Sequence, residues 1–205
     1  RSGLLMQGPM EGLEELRQRC LSAPLPPQRL DWWSRALAEG EQPALLLTLA
    51  SISANAVAAQ VQQLELVADA LHVGMKRLEG QELKQAESRG WGAGNPWHGR
   101  EGSWLLHLGV LPANARQLLD AIDTLNLHCS LAGGQGQGFA WSGSHELTAD
   151  LVSRLRRQCQ ALGGELNVLM QTPSTESQLA SWSTSTAQGW VDAVKREFDP
   201  LQQLA

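Results

Sequence analysis

Apolar and polar positions along this chain follow a pattern that runs its course once and then repeats. Residues 2–10 read as a short strand, and over residues 11–21 Leu13, Leu16 and Cys20 share one helical face. Pro24, Pro26 and Pro27 end that helix. Residues 28–34 and the leucine-rich stretch 44–51, bounded by Pro43, supply a second and a third strand. Ser53 stands where a helix needs its N-cap. Val57, Val61, Leu64, Ala68 and Leu71 then recur at three- and four-residue steps, which makes this the clearest helix in the sequence. Gly74 closes it, and residues 75–78 form a fourth strand.

The same order returns further on. Residues 104–111 are strand-like, and Pro112 opens a helix whose inner side carries Ala115, Leu118, Leu119, Ile122 and Leu125. Strands over 127–132 and 138–142 are joined through Gly133-Gly134-Gln135-Gly136-Gln137. Thr148 caps a helix with Leu151, Leu155, Cys159 and Leu162 inward, Gly163-Gly164 stops it, and residues 165–171 form the last strand. Each half reads βαββαβ. The expected fold class is therefore α+β: two fused ferredoxin-like units, each an antiparallel sheet with helices on one face. Residues 1–80 make the first unit and 103–172 the second. Between them, residues 81–102 are rich in Gly and Trp and read as a linker or an excursion. Residues 173–205 hold a polar segment and a C-terminal helix over 187–198, ended by Asp199-Pro200.

Composition narrows the class. With 205 residues, 42% hydrophobic and 18% charged, the chain has the make-up of a soluble globular protein with a real core. No apolar run approaches the roughly 18 to 20 residues of a membrane span. The start, Arg1-Ser2-Gly3, has neither the layout of a signal peptide nor a methionine, so sequence is expected to precede it. A net charge of -5 argues against nucleic acid and acidic lipid as general partners, and Arg154, Arg156 and Arg157 read as a solvated helix face. Cys20, Cys129 and Cys159 are odd in number and widely spaced, which suits a reducing cytoplasm and indicates neither a disulfide framework nor a zinc site. Eight Trp against no Tyr and two Phe is unusual: core filling is the commoner role for each, with several left to line an interface or a cleft.

Local motifs for catalysis are scarce. Gly134, Gly136 and Gly138 form a GxGxG run, but Phe139 occupies the last glycine position of a dinucleotide fingerprint, and the run lies between strands; a wide hairpin turn is the better reading. No pattern for phosphate cradling, serine hydrolysis or zincin chemistry occurs. The five histidines are scattered without metal-ligand spacing, so neither a metal nor a catalytic residue is assigned. Alternation nonetheless singles out His107. If Leu106, Leu108, Leu166, Val168 and Met170 face the helices, His107, Asn167 and Gln171 share the opposite face, where polar groups would meet a ligand or another domain. Trp97 and Arg100, in the Gly-rich stretch, belong either to a mobile lip, with Arg100 gripping a carboxylate, or to a plain linker.

The tail Trp190-Val191-Asp192-Ala193-Val194-Lys195-Arg196-Glu197-Phe198-Asp199-Pro200 resembles the closing motif of FAD-linked oxidases. Upstream, the Gly94-Asn95-Pro96-Trp97 loop and the strand from Trp104 to Leu111 are similar to cyanobacterial-type glycolate oxidase E subunits. The resemblance extends over nearly the whole chain, with the tail its specific part. It implies a C-terminal cap or substrate region of an FAD-dependent 2-hydroxy-acid (glycolate) oxidase or dehydrogenase, whose N-terminal FAD-binding domain is not in these residues. FAD would belong to the full-length protein and not to this stretch, which alone would be inactive. D- and F-like subunits are the implied partners. The rival from another class is a non-catalytic module of tandem ferredoxin-like units that binds a ligand or a partner, since fold alone does not assign function.

Overall fold

Strand alternation fixes which side of each strand is dry, and the first half shows how. In β1 (Ser2–Gln7) Leu4 and Met6 are wholly buried, and in β2 (Arg29–Trp33) Leu30 and Trp32 are buried on the same side of the sheet. Between them α1 (Met10–Ser22) turns Leu13, Leu16 and Cys20 onto that side. β3 (Ala44–Leu49), α3 (Ala54–Ala70) and β4 (Gly74–Leu78) complete the unit. Ser53 caps α3 by accepting from the Ala56 amide at 3.2 Å. The second half follows with β5 (Trp104–Gly109), α5 (Ala115–Thr124), β6 (His128–Ala132), β7 (Gln137–Ser142), α6 (Ala149–Ala161) and β8 (Glu165–Met170), and α7 (Gln188–Phe198) comes last. The computed structural model describes residues 1–90, 104–142, 147–171, 179–181 and 188–198.

The eight strands form one antiparallel sheet in the order β4-β1-β3-β2-β6-β7-β5-β8. In each half the fourth strand lies beside the first, the first beside the third and the third beside the second, and the two halves meet where their second strands, β2 and β6, pair. Ser34 reinforces that seam from a fully buried position. Its hydroxyl donates to the Leu127 carbonyl at 2.8 Å and accepts from the Cys129 amide at 2.8 Å, while its own amide donates to the Cys129 carbonyl at 3.0 Å. Helices α1, α3, α5 and α6 cover one face, and a single apolar core runs beneath them through both halves, from Leu4 and Leu47 to Leu106 and Val168.

The other face is not uniformly open. β3 is buried along its whole length, because Ala44 and Leu46 meet a second apolar cluster formed with α2 (Arg35–Ala38) and α4 (Gly80–Gly90). Neither helix is expected from periodicity. Residues 81–90, read as part of a linker or excursion, form most of α4, which buries Leu83, Ala86 and Gly90 against the first half. A Cβ on Gly90 would sit 2.9 Å from Nε1 of Trp33, so only glycine allows that approach. Met170, expected beneath the helices, is exposed: a bulge between Leu105 and Leu106 shifts the register so that Met170 pairs with Leu105, a residue of the opposite face.

Candidate functional site

The sheet's second face carries a cleft at the seam between halves. Because side chains alternate, Arg29 and Asp31 of β2 point away from the core that takes Leu30 and Trp32. The β2–β6 pairing then sets Ser130 beside Trp33, the β6–β7 pairing sets Phe139 beside Ser130, and the β5–β7 pairing sets His107 beside Phe139. A cleft of about 300 Å³ lies here, with Arg29 and Asp31 on one wall, His107 and Phe139 on the other, and Ser130, Ala132 and Gly138 between. The walls stand three strands apart, about 14 Å at the usual strand spacing.

Arg29 is held in place on two sides. Its Nε donates to the Asp31 carboxylate, and one terminal nitrogen donates to the Glu87 carbonyl of α4 at 3.3 Å. α4 thereby fixes a cleft residue as well as covering the first half. Burial raises the Asp31 pKa above its ordinary value, against the opposing pull of Arg29, and the nearby Glu87 raises it further. The His107 ring meets the edge of Phe139 at 5.3 Å between centroids and 61° between planes. Close by on the same face, His128 stacks on Trp141 at 5.7 Å, and its burial, opposed by the charge of Glu39 and helped by that of Arg89, lowers its pKa and favours the neutral ring. Such a cleft can bind and orient a small polar or anionic group through a guanidinium, an imidazole and a hydroxyl.

Other routes to chemistry are weaker. The three cysteines are buried and free, and burial pushes Cys20 up to about 12 and Cys159 up to about 11, far from a reactive thiolate. Among the described residues no group of three or more His, Cys, Asp or Glu could hold a metal. The Gly-rich run is the β6–β7 hairpin turn and is occupied by the fold itself. Gly133 donates to the Leu30 carbonyl at 2.7 Å, its own carbonyl accepts from Arg17 at 2.8 Å, and a Cβ on Gly136 would fall 2.1 Å from the Val110 carbonyl. That turn offers no free cradle for a pyrophosphate.

Of the residues singled out by sequence, His107 lines the cleft. Asn167 pairs directly with it in register but is 4% exposed and stands outside the lining. Gln171 lies beyond the bulge, where its amide donates to the Leu179 carbonyl at 3.1 Å and accepts from the Leu179 amide at 3.0 Å, holding a later stretch of chain. Trp97 and Arg100 lie outside the described residues. Arg29, Asp31 and Ser130 escaped notice, although the alternation in Arg29-Leu30-Asp31-Trp32 carries the same signal that singles out His107. No helix among the described residues is long and apolar enough to cross a membrane. No protein-family model matches the chain, and a search of curated proteins finds no match.

Proposed function

We propose that this chain is the cap region of an FAD-linked oxidoreductase acting on a small 2-hydroxy acid such as glycolate, with FAD held by a domain outside residues 1–205. The observation that carries the reading is the cleft on the sheet face turned away from the main core, whose opposite walls carry Arg29 and Asp31 from one half and His107 from the other. A cap has to do two things with one sheet: bury one face as its own core and present polar groups from the other to a separate active site. The division between the main helix-covered face and the cleft-bearing face supports that reading, and the tail motif agrees with it.

In such an enzyme the flavin takes up the electrons, and the protein supplies binding, orientation and electrostatics. Arg29 would hold the substrate carboxylate by a charge-assisted contact, and His107, three strands away, would contribute a polar far wall to the cleft. Assembly with D- and F-like subunits in the cytoplasm belongs to the same proposal.

The test is to purify the product of the complete reading frame beside the 205-residue chain. The complete product should carry flavin absorbance, and the chain alone should be colourless and fail to turn over glycolate. A yellow isolated chain would overturn the reading. A colourless complete product, together with saturable ligand binding by the chain alone, would favour a non-catalytic binding module.

A further inference from the structure

The cleft is lined by polar groups whose hydrogen-bonding capacity the fold does not use. Of the Arg29 guanidinium, Nε is taken by Asp31 and one terminal nitrogen by the Glu87 carbonyl. Among the described residues, its other terminal nitrogen, the Ser130 hydroxyl, the His107 ring nitrogens and the carboxamides of Gln135 and Gln137 make no hydrogen bond. Ser130 decides what this means. It is only 2% exposed, yet its hydroxyl oxygen still reaches the cleft surface. A polar side chain withdrawn that far from water is ordinarily satisfied by the chain itself, and leaving it unpaired is costly. One left open onto a cleft is placed for a ligand's hydrogen bond.

The kinds of group present sort the ligand classes. Among the described lining residues Arg29 is the one Lys or Arg, and Asp31 already shares its charge. A single carboxylate suits it, whereas a second carboxylate on the same ligand would meet no further guanidinium or ammonium. Asp31 stands two residues along the same strand face, and as a carboxylate it accepts without donating. The ligand group next to the carboxylate therefore has to be a donor, as the hydroxyl of a 2-hydroxy acid is. Beyond that wall come a hydroxyl, two carboxamides and an imidazole. Each of these can both donate and accept, which complements further hydroxyl groups and not a hydrocarbon tail.

Size points the same way. The cleft holds about 300 Å³. Glycolate, with five non-hydrogen atoms, displaces about three waters, roughly 90 Å³, and fills only the Arg29 end. A six-carbon sugar acid, with thirteen, displaces about seven, roughly 210 Å³. Its extended chain of about 8 Å runs from the guanidinium past Ser130 towards the His107 wall.

We infer that the cleft is built for a polyhydroxylated carboxylate, a sugar acid of about six carbons. Its carboxylate lies on Arg29, its 2-hydroxyl on Asp31, and its further hydroxyls on Ser130, Gln135, Gln137 and His107. This rests on the reading of the cleft as a 2-hydroxy-acid site and narrows it, since glycolate leaves most of the lining unused.

The test is calorimetric titration of the 205-residue chain with D-gluconate, glycolate, D-glucose, malate and 3-phenyllactate. Gluconate should bind at least about tenfold more tightly than glycolate, because it adds two or more hydrogen bonds, and about tenfold more tightly than glucose, which lacks the carboxylate. Ser130→Ala should weaken gluconate about fivefold more than it weakens glycolate. Gln135→Ala combined with Gln137→Ala, at exposed positions where folding is not at stake, should act in the same direction. Arg29→Ala should bring gluconate down to the level of glucose. Equal binding of gluconate and glycolate through Arg29 overturns the sugar-acid inference and leaves the cap reading standing. Tighter binding of malate or phenyllactate than of gluconate overturns it as well, and so does a gluconate preference that survives both the Ser130 and the glutamine variants with far-UV dichroism showing the fold preserved. Absence of any acid binding that depends on Arg29 overturns this inference and the carboxylate site together.

Discussion

Ser34→Ala probes the seam on which the continuous sheet, and with it the cleft, depends. Replacing the hydroxyl by hydrogen removes little volume but strands three groups at a fully buried position: the Leu127 carbonyl at 2.8 Å, the Cys129 amide at 2.8 Å and the Leu37 amide at 3.4 Å. A buried polar group left without a partner costs about 1 to 3 kcal/mol. The Leu37 bond is long and caps a helix of four residues, so it adds under about 1 kcal/mol. The Ser34 amide bond to the Cys129 carbonyl survives, because it belongs to the backbone. The expected loss is about 3 kcal/mol, or a fall of about 1 M in urea midpoint for a chain of this size. Tryptophan fluorescence during urea unfolding reads it, since Trp32 and Trp33 lie beside Ser34 and are wholly buried. Gln63→Ala, at an exposed residue of α3, serves as the control with a loss below about 0.5 kcal/mol. A Ser34→Ala loss below about 1 kcal/mol refutes the reasoning: the hydroxyl would then not be what joins the halves.

Gly138→Ala should cost about 2 kcal/mol or more by thermal unfolding, because the new Cβ would fall 1.9 Å from the Ser130 carbonyl and 2.8 Å from the Leu131 Cα, both backbone atoms that cannot swing aside. Asp31→Asn should change stability in a pH-dependent way. The native Asp31 pKa is raised, so below its ordinary 3.8 the carboxyl is protonated both folded and unfolded; as pH rises through the raised value the native chain loses stability that the Asp31→Asn variant keeps. Urea midpoints at pH 3.5 and pH 7 should shift in favour of Asp31→Asn at the higher pH, and the opposite trend contradicts the burial argument. His107→Ala should lower activity or subunit association in the complete assembly while altering the isolated chain's stability by under about 1 kcal/mol; unfolding of the chain would place His107 in the core instead.

Periodicity made most of the fold legible because each strand and each long helix buries one face in the main core. The stripe from Val57 to Ala68 and the alternation around Leu106 and Leu108 need no tertiary information to read. α4 escaped because it covers its strands with little more than Leu83 and Ala86, too sparse a stripe to separate from a polar loop. The signal lay instead in β3, whose Ala-Leu-Leu-Leu-Thr-Leu run is buried throughout and so demands cover on both faces. The cleft was half legible. His107 followed from alternation on β5, but Arg29 joins it only through the β2–β6 pairing, and nothing local in either half states that the two sheets merge. Met170 was misplaced because a one-residue bulge reverses alternation beyond it, and no residue type in that strand marks the bulge in advance.

The measurement that bears most directly on the cap proposal is an anaerobic glycolate titration of the complete gene product, followed in the visible spectrum. The account predicts that flavin absorbance bleaches on addition of glycolate, and that Arg29→Ala raises the concentration needed for half-bleaching by about tenfold or more, as expected for loss of a charge-assisted contact to the carboxylate. A complete product whose flavin is absent or indifferent to 2-hydroxy acids, or one whose response is the same with and without Arg29, would contradict it.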